Sequence, residues 1–456
     1  MARSLTFVVA WAILALLVTG CGGYASTSEA FRRSLNQGKP EQALVAVNKA
    51  MEVTRPEDLP KPKADTPLLL LERATILQAM GRHDLSARDF ETADKQLEVL
   101  DFTNDTAGDI GKYLYSDDAQ NYRAPPYEKL LVNTMNGLNY LVRGELGGAK
   151  VEARRYLVNR KYFENGDAED RSMLAFGSYL AGFSFEMDGD AQAAMRHYGD
   201  AAEDGGVPGL DGVARRLAAR SGATDQRLKA VLESPTEVAP DDPQQAELLV
   251  VVQVGMAPYR QPERLPIGAA VVAASHPGPG ARLSASQQRQ ANTFAAKGLM
   301  KWVNYPRLQR TTRQGPPRTM IQVNDGPVET MGEALNVEAR VIASFQKIEG
   351  GLIAAAIVRL LARAVAGELT QAAASRAAGD GTVGLLLGLV AEGTMTALDT
   401  PDTRSWVTLP ARFDVHRVRL PAGKQRVRVQ IAGYSRDAEV NLAPGGWAVL
   451  NFSAVR

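Results

Sequence analysis

The spacing of apolar positions changes period near the middle of the chain. Between Glu29 and Ala201, small and apolar residues recur at helical spacing around glycines, and one arrangement appears four times. Counting from each glycine, a small residue follows five positions later, a bulky or apolar one nine later and usually an alanine twelve later. The series reads Gly38, Ala43, Val47, Ala50; Gly81, Ser86, Phe90, Ala93; Gly144, Ala149, Ala153, Tyr156; and Gly189, Ala194, Tyr198, Ala201. Glycine suits a left-handed turn between two helices, the small residue admits a close helix approach, and the larger one fills the gap to the next pair. Ahead of three of these glycines the pattern extends backwards, with Ala74, Gly137 and Gly182 seven positions before and Leu77, Tyr140 and Phe185 four before. This predicts an all-α array of helix pairs over 29–232, closed by a helical stretch from Leu210 to Leu232 with its arginines outward. A linker rich in proline and acidic residues is predicted over 233–246.

From Glu247 the period becomes that of a sheet. Leu248 to Val254 reads as a buried strand, Met256 to Pro266 as an extended run, and strand signals return at Leu299 to Tyr305 and Thr319 to Glu329, with Asn324-Asp325-Gly326 as a hairpin turn. Helices are expected over 332–398, where Ile348, Leu352, Ile353, Ile357, Leu360, Leu361 and Val365 make one apolar stripe and Gly384 to Ala397 packs against it. Short strands over 406–456 close the chain, among them Val427, Val429 and Ile431 alternating with Arg426, Arg428 and Gln430. The fold class expected is therefore α+β and multidomain: a helical repeat array, then a mixed region over 247–456 ending in a small β-sandwich-like sheet.

Ahead of the array stands a basic start at Arg3, an unbroken apolar run from Leu5 to Val18, and Gly20-Cys21. The run is too short to span a bilayer and has the layout of an export signal. Ending on cysteine, it resembles the lipobox of bacterial lipoproteins, which implies cleavage after residue 20, a covalent lipid on Cys21 and a lipidated tether over 21–28. Cys21 is the only cysteine among 456 residues, so no thiol is left for a disulfide or a metal. Lysine plus arginine (52) balance aspartate plus glutamate (51), which argues against a nucleic-acid partner.

The glycine series also resembles the tetratricopeptide repeat, whose stacked pairs present a concave face to peptide ligands. It departs from that pattern in three ways: the glycines are spaced by 43, 63 and 45 residues, Phe31 and Tyr156 replace small residues, and Arg55 to Pro67 and Asp101 to Pro126 are inserted. Phe176, Tyr179 and Phe183 fall on the face where such repeats touch a peptide. They are candidate partner-binding residues, against the plainer reading that they pack on the next helix or on the following domain.

Chemistry is sparse. Four histidines have no companion at metal-ligand spacing, and no catalytic motif stands out, so neither a catalytic residue nor a metal or small-molecule cofactor is expected. Gly379-Asp380-Gly381-Thr382-Val383-Gly384 matches a dinucleotide fingerprint by letter, but it follows no strand. Arg307, Arg310, Arg313 and Arg318 read as a solvated loop, against the alternative of an anion or lipid-headgroup patch. Asp402, Arg404 and Trp406 form a polar cluster that is either a site or an ion pair and anchoring tryptophan at a helix-to-strand junction.

Taken together, the lipobox, the degenerate repeats, Asp402-Thr403-Arg404-Ser405-Trp406 followed by Leu409-Pro410, and the turn Leu420-Pro421-Ala422-Gly423 resemble a family of uncharacterised bacterial lipoproteins. That resemblance implies an envelope protein, tied to accessory lipoproteins of peptidoglycan synthesis. The expected function is a lipid-anchored scaffold that binds a protein or peptide partner in cell-wall or polysaccharide assembly. Its expected place is the outer membrane facing the periplasm, or the surface of a Gram-positive cell. The alternatives are an enzyme on an envelope polymer with a site near Asp402 and Arg404, and a purely structural lipoprotein.

Overall fold

The computed structural model describes residues 24–99, 122–163, 171–234, 242–275, 282–296, 302–311, 315–378, 401–431 and 433–455. Cys21 and its leader, most of the Asp101 to Pro126 insertion, Arg313, and the runs 379–384 and 384–397 lie outside these residues.

Four helix pairs pack antiparallel: α1 (Tyr24–Asn36) with α2 (Pro40–Ala50), α3 (Thr66–Ala79) with α4 (His83–Gln96), α5 (Pro126–Val142) with α6 (Leu146–Arg160), and α7 (Leu174–Met187) with α8 (Ala191–Glu203). A minimal ribbon of β1 (Glu98–Val99) and β2 (Arg123–Ala124) sits between the second and third pairs, and α9 (Leu210–Ser221) and α10 (Lys229–Leu232) follow the fourth. All four turn glycines have left-handed backbones, with φ of 69° at Gly38, 74° at Gly81, 72° at Gly144 and 84° at Gly189. Each closes the same pair of hydrogen bonds. At Gly81, its own N–H reaches the Gln78 carbonyl and the Arg82 N–H reaches that of Leu77, and the three other turns repeat this. Such a double bond satisfies the orphan carbonyls of a helix end, and it needs a residue without a Cβ penalty.

The irregular members of the series are explained by their neighbours. Tyr156, standing where a small residue is expected, lies against Gly177 of α7, where a Cβ would collide with its ring. Gly182 makes room for Tyr198 in the same way. Between Tyr156 and Gly177 the small and large partners have exchanged places across the interface, whereas Gly182 and Tyr198 keep the expected order. Helix α1 begins at Tyr24, five residues ahead of the expected start, because Tyr24 is buried and its hydroxyl donates to Glu72 at 2.5 Å. Residues 24–28 of the expected tether are therefore helical.

The second half is a mixed region with several small sheets. One sheet has the order β12-β3-β9-β8, from β3 (Gln245–Met256), β8 (Gly332–Asn336), β9 (Pro410–Pro421) and β12 (Trp447–Ala454). Here β12 runs parallel to β3, while β3–β9 and β9–β8 are antiparallel. A second sheet has the order β11-β10-β6-β7, from β6 (Thr319–Val323), β7 (Val328–Thr330), β10 (Gly423–Ile431) and β11 (Tyr434–Leu442). Asn324, at the expected hairpin, has φ of 53°. The two sheets meet through Leu248, Val250 and Val252 on one side and Val427, Val429 and Ile431 on the other.

Strands β4 (Tyr259–Pro266) and β5 (Trp302–Gln309) form a separate ribbon, with Pro262 opposite Pro306. Proline donates no ladder bond, and a two-stranded ribbon consists only of edges. Arg307, expected in a loop, lies in β5 and pairs with Glu263 at 3.2 Å. Beside the ribbon pack α11 (Ile267–Ala273), α12 (Ala285–Ala296) and the helix α13 (Val337–Ala378), whose stripe residues Ile353, Ile357, Leu360 and Leu361 are buried there. By length and hydropathy alone Val337–Leu361 could cross a membrane, but half of its most apolar window is buried inside the fold.

Helices and sheet share one core. The β3 residues Leu249 and Val251, Phe413 and Val415 of β9, and Val449 of β12 belong to the same buried cluster as Leu68, Leu131, Phe176 and Phe183 of the array. Alternation decides this. From Ala246 to Val254, even-numbered residues of β3 face the second sheet and Leu249 and Val251 face the helices.

The candidate site is a seam between the two halves

The array receives the second half through buried carboxylates. Glu72 follows Leu68 to Leu71 on α3, so an acidic group is carried into the apolar face of the helix, where it is 0% exposed. It accepts from Tyr24 at 2.5 Å, from the backbone N–H of Val407 at 2.8 Å and from that of Thr408 at 2.9 Å. Glu128 on α5 repeats the device, accepting from the Tyr122 hydroxyl and, at 3.2 Å, from the Trp406 N–H. Burial pushes both carboxyls up to about 7, against the pull of these donors.

Between the two carboxylates the Trp406 ring is wholly enclosed. Its indole N–H donates to Thr75 at 3.0 Å and its edge meets Phe90 with centroids 5.8 Å apart. The preceding residues are locked as well. Arg404, 2% exposed, pairs with Asp402 at 2.9 Å and with Asp65 at 3.2 Å, and the Thr403 hydroxyl accepts from the Ala25 N–H at 3.3 Å. Asp402, Arg404 and Trp406 are thus brought together, as the ion pair and anchoring tryptophan of a junction.

A second contact lies at the far end of the array. Arg417 of β9 points into it, donating to Glu186 at 2.9 Å, to the Tyr198 hydroxyl at 2.9 Å and to Glu247. Burial opposes the charge of Glu186, but Arg417, Tyr198 and Arg220 bring its carboxyl below the ordinary value.

Phe176, Tyr179 and Phe183 lie on this seam, each 0% exposed. Phe176 packs on Phe413, Phe183 on Trp447 and Tyr179 on Tyr198, with centroids 5.2, 5.9 and 5.8 Å apart. This corrects the expectation that they bind a partner. The face they line is filled by the chain's own sheet, so no outside peptide reaches them. Sequence reasoning missed Glu72, Glu128, Glu186 and Arg417. A signal existed for the first, since Glu72-Arg73 interrupts a run of leucines, and Arg73 is itself buried against Asp89 at 2.6 Å.

What this seam can do chemically is hold. Its carboxylates and arginines are paired within the fold, although the hydroxyls of Tyr179 and Thr408 are buried without a partner, and the cleft lined by Asn133, Glu152, Tyr156 and Gly177 nearby has room for about one water molecule. Among the described residues no group of three or more histidine, cysteine or acidic side chains could hold a metal ion. No family model, curated protein or solved structure matches the chain.

Proposed function

We propose that the protein is a lipid-anchored envelope scaffold whose helix pairs are degenerate tetratricopeptide-like repeats wrapped around its own β-sandwich-like second half. The observation that carries the reading is the self-occupied inner face: three buried carboxylates, Glu72, Glu128 and Glu186, hold backbone N–H groups and an arginine of the same chain. A groove filled in this way makes a rigid body that works through its outer surfaces.

In this reading Cys21 carries the lipid and the body sits close to the bilayer. Only Gly22 and Gly23 separate Cys21 from Tyr24, three steps with a reach of about 10 Å when extended. In a Gram-negative cell the protein belongs to the outer membrane and faces the periplasm, and its partner is a component of cell-wall or polysaccharide assembly. Crosslinking in intact cells followed by mass spectrometry tests this. One recurrent envelope partner, retained in Phe176→Leu, supports the scaffold. Turnover of a wall fragment that is lost in Asp402→Ala would overturn it in favour of an enzyme. Cys21→Ser is expected to release the protein from the membrane fraction or leave its leader uncut, and normal processing with membrane retention would remove the anchor from the reading.

A further inference from the structure

Strand β12 is an edge that differs from the other edges of these sheets. Its neighbour β3 is matched residue for residue from Trp447 to Ala454 with no irregularity. Sheet edges are ordinarily guarded by charge, brevity or bulges. The other three follow that rule: β11 carries Arg436, Asp437 and Glu439, β7 has only three residues including Glu329, and β8 carries Glu333 and a bulge next to it. In contrast, β12 reads Trp-Ala-Val-Leu-Asn-Phe-Ser-Ala, with no charge and no proline.

The direction of its free backbone groups can be worked out. The Glu247 N–H bonds the Gly446 carbonyl, and in a parallel ladder both polar groups of a residue point the same way. Even-numbered residues of β12 therefore bond to β3, and Trp447, Val449, Asn451 and Ser453 present their N–H and C=O outward. Among the described residues nothing pairs with these groups. The side chains of the same residues are on the helix-facing side, where both amide atoms of Asn451 and the hydroxyl of Ser453 are buried without a hydrogen-bond partner. Unmet amide groups of this kind are costly and uncommon.

We propose that β12 pairs antiparallel with β12 of a second copy of this chain, about a twofold axis at Asn451. In this register Asn451 faces its own counterpart as a hydrogen-bonded pair, Val449 faces Ser453, and both sheets join into one of eight strands. A primary amide is self-complementary. Once each Asn451 side chain turns from its buried position toward the edge, it donates to the oxygen of the other, which satisfies both orphaned atoms. An uncharged strand also meets itself without repulsion, whereas self-pairing of β11 would crowd a strand rich in charge against its own copy.

The register makes the test sharp. With Cys21 as the only native thiol and the wild-type chain as control, Asn451→Cys is expected to give a disulfide-linked dimer on a non-reducing gel under oxidising conditions. Ser453→Cys is expected to give none, because its counterpart lies about 14 Å away along the strand, beyond disulfide reach. Sedimentation of the wild-type chain in detergent is expected to report a dimer that Asn451→Pro converts to monomer. That substitution removes an outward N–H and an amide side chain that has no partner inside the fold, so the thermal unfolding midpoint is expected to hold. If Asn451→Pro fails to fold, the cysteine pair still decides. A wild-type monomer at about 100 µM, equal crosslinking from both cysteines, or an Asn451→Cys link to a different protein instead of a second copy each overturns the proposal.

Discussion

The indole nitrogen of Trp406 donates to the hydroxyl of Thr75 at 3.0 Å, joining residues 331 positions apart. This bond runs from the loop before β9 into the middle of α3, and the backbone of the same loop is held by Glu72 and Glu128. The helical half and the sheet half are therefore mechanically one object at this point.

Trp406→Ala is expected to cost about 3 to 5 kcal/mol, the range for deleting a large buried aromatic residue, and to leave Thr75 and two carboxylates facing a cavity. Urea unfolding followed by far-ultraviolet circular dichroism checks it. A loss below about 1 kcal/mol would mean that the seam is not a stabilising contact.

Arg417→Ala removes the cation that Glu186 and Glu247 share, leaving Glu186 with Arg220 and the Tyr198 hydroxyl, each at 2.6 Å. Breaking a buried pair on one side costs about 3 to 5 kcal/mol, so this variant should unfold well before Arg428→Ala, whose partner Asp437 is exposed. Equal midpoints for the two would contradict the structure.

Stability should fall as pH rises from about 4.5 to 7. Glu72 and Glu128 have folded values of about 7 against an ordinary 4.5, so in that window the folded chain keeps two protons that the unfolded chain has released. Each contributes roughly 3 kcal/mol at most, at 1.36 kcal/mol per unit. Glu186 acts in the opposite sense at lower pH. Its value is depressed, so its contribution is present above 4.5 and lost as acid protonates it. Urea midpoints between pH 4.5 and 8 should therefore decline and then level, with a shallower decline in Glu72→Gln. A profile that rises through this range would exclude the assignment.

Two glycine substitutions separate strain from crowding. Gly81→Ala meets nothing within 4 Å but must adopt φ of 74°, which costs about 1 kcal/mol. Gly182→Ala has an ordinary backbone and collides with the Tyr198 ring, so about 1 to 3 kcal/mol is expected from overpacking. Gly182→Ala combined with Tyr198→Phe should give no relief, because the ring remains.

What could be read in the sequence was local. Turn glycines announce themselves, since a left-handed residue followed by small and large positions at helical offsets has few other meanings, and Gly38, Gly81, Gly144 and Gly189 all proved left-handed. Alternation in β10 and the turn at Asn324 were legible for the same reason. Long-range facts were not. Nothing near Tyr24 says that its hydroxyl will meet Glu72, and nothing in α7 tells an aromatic stripe that binds a peptide from one that binds Phe413 and Trp447 of the same chain. Periodicity gives the buried side of an element, and only the topology gives its occupant.

The parallel ladder between β3 and β12 carries a consequence for how such a molecule comes into being. Strand β3 is flanked on one side by residues two hundred positions downstream, and its odd-numbered side chains complete a core begun by α3 and α7. Until Trp447 to Ala454 have emerged, Leu249 and Val251 lack a neighbour, and helices already synthesised have an unfinished floor. Maturation therefore has to wait for β12, and a chain stalled before it exposes the apolar face that this strand covers.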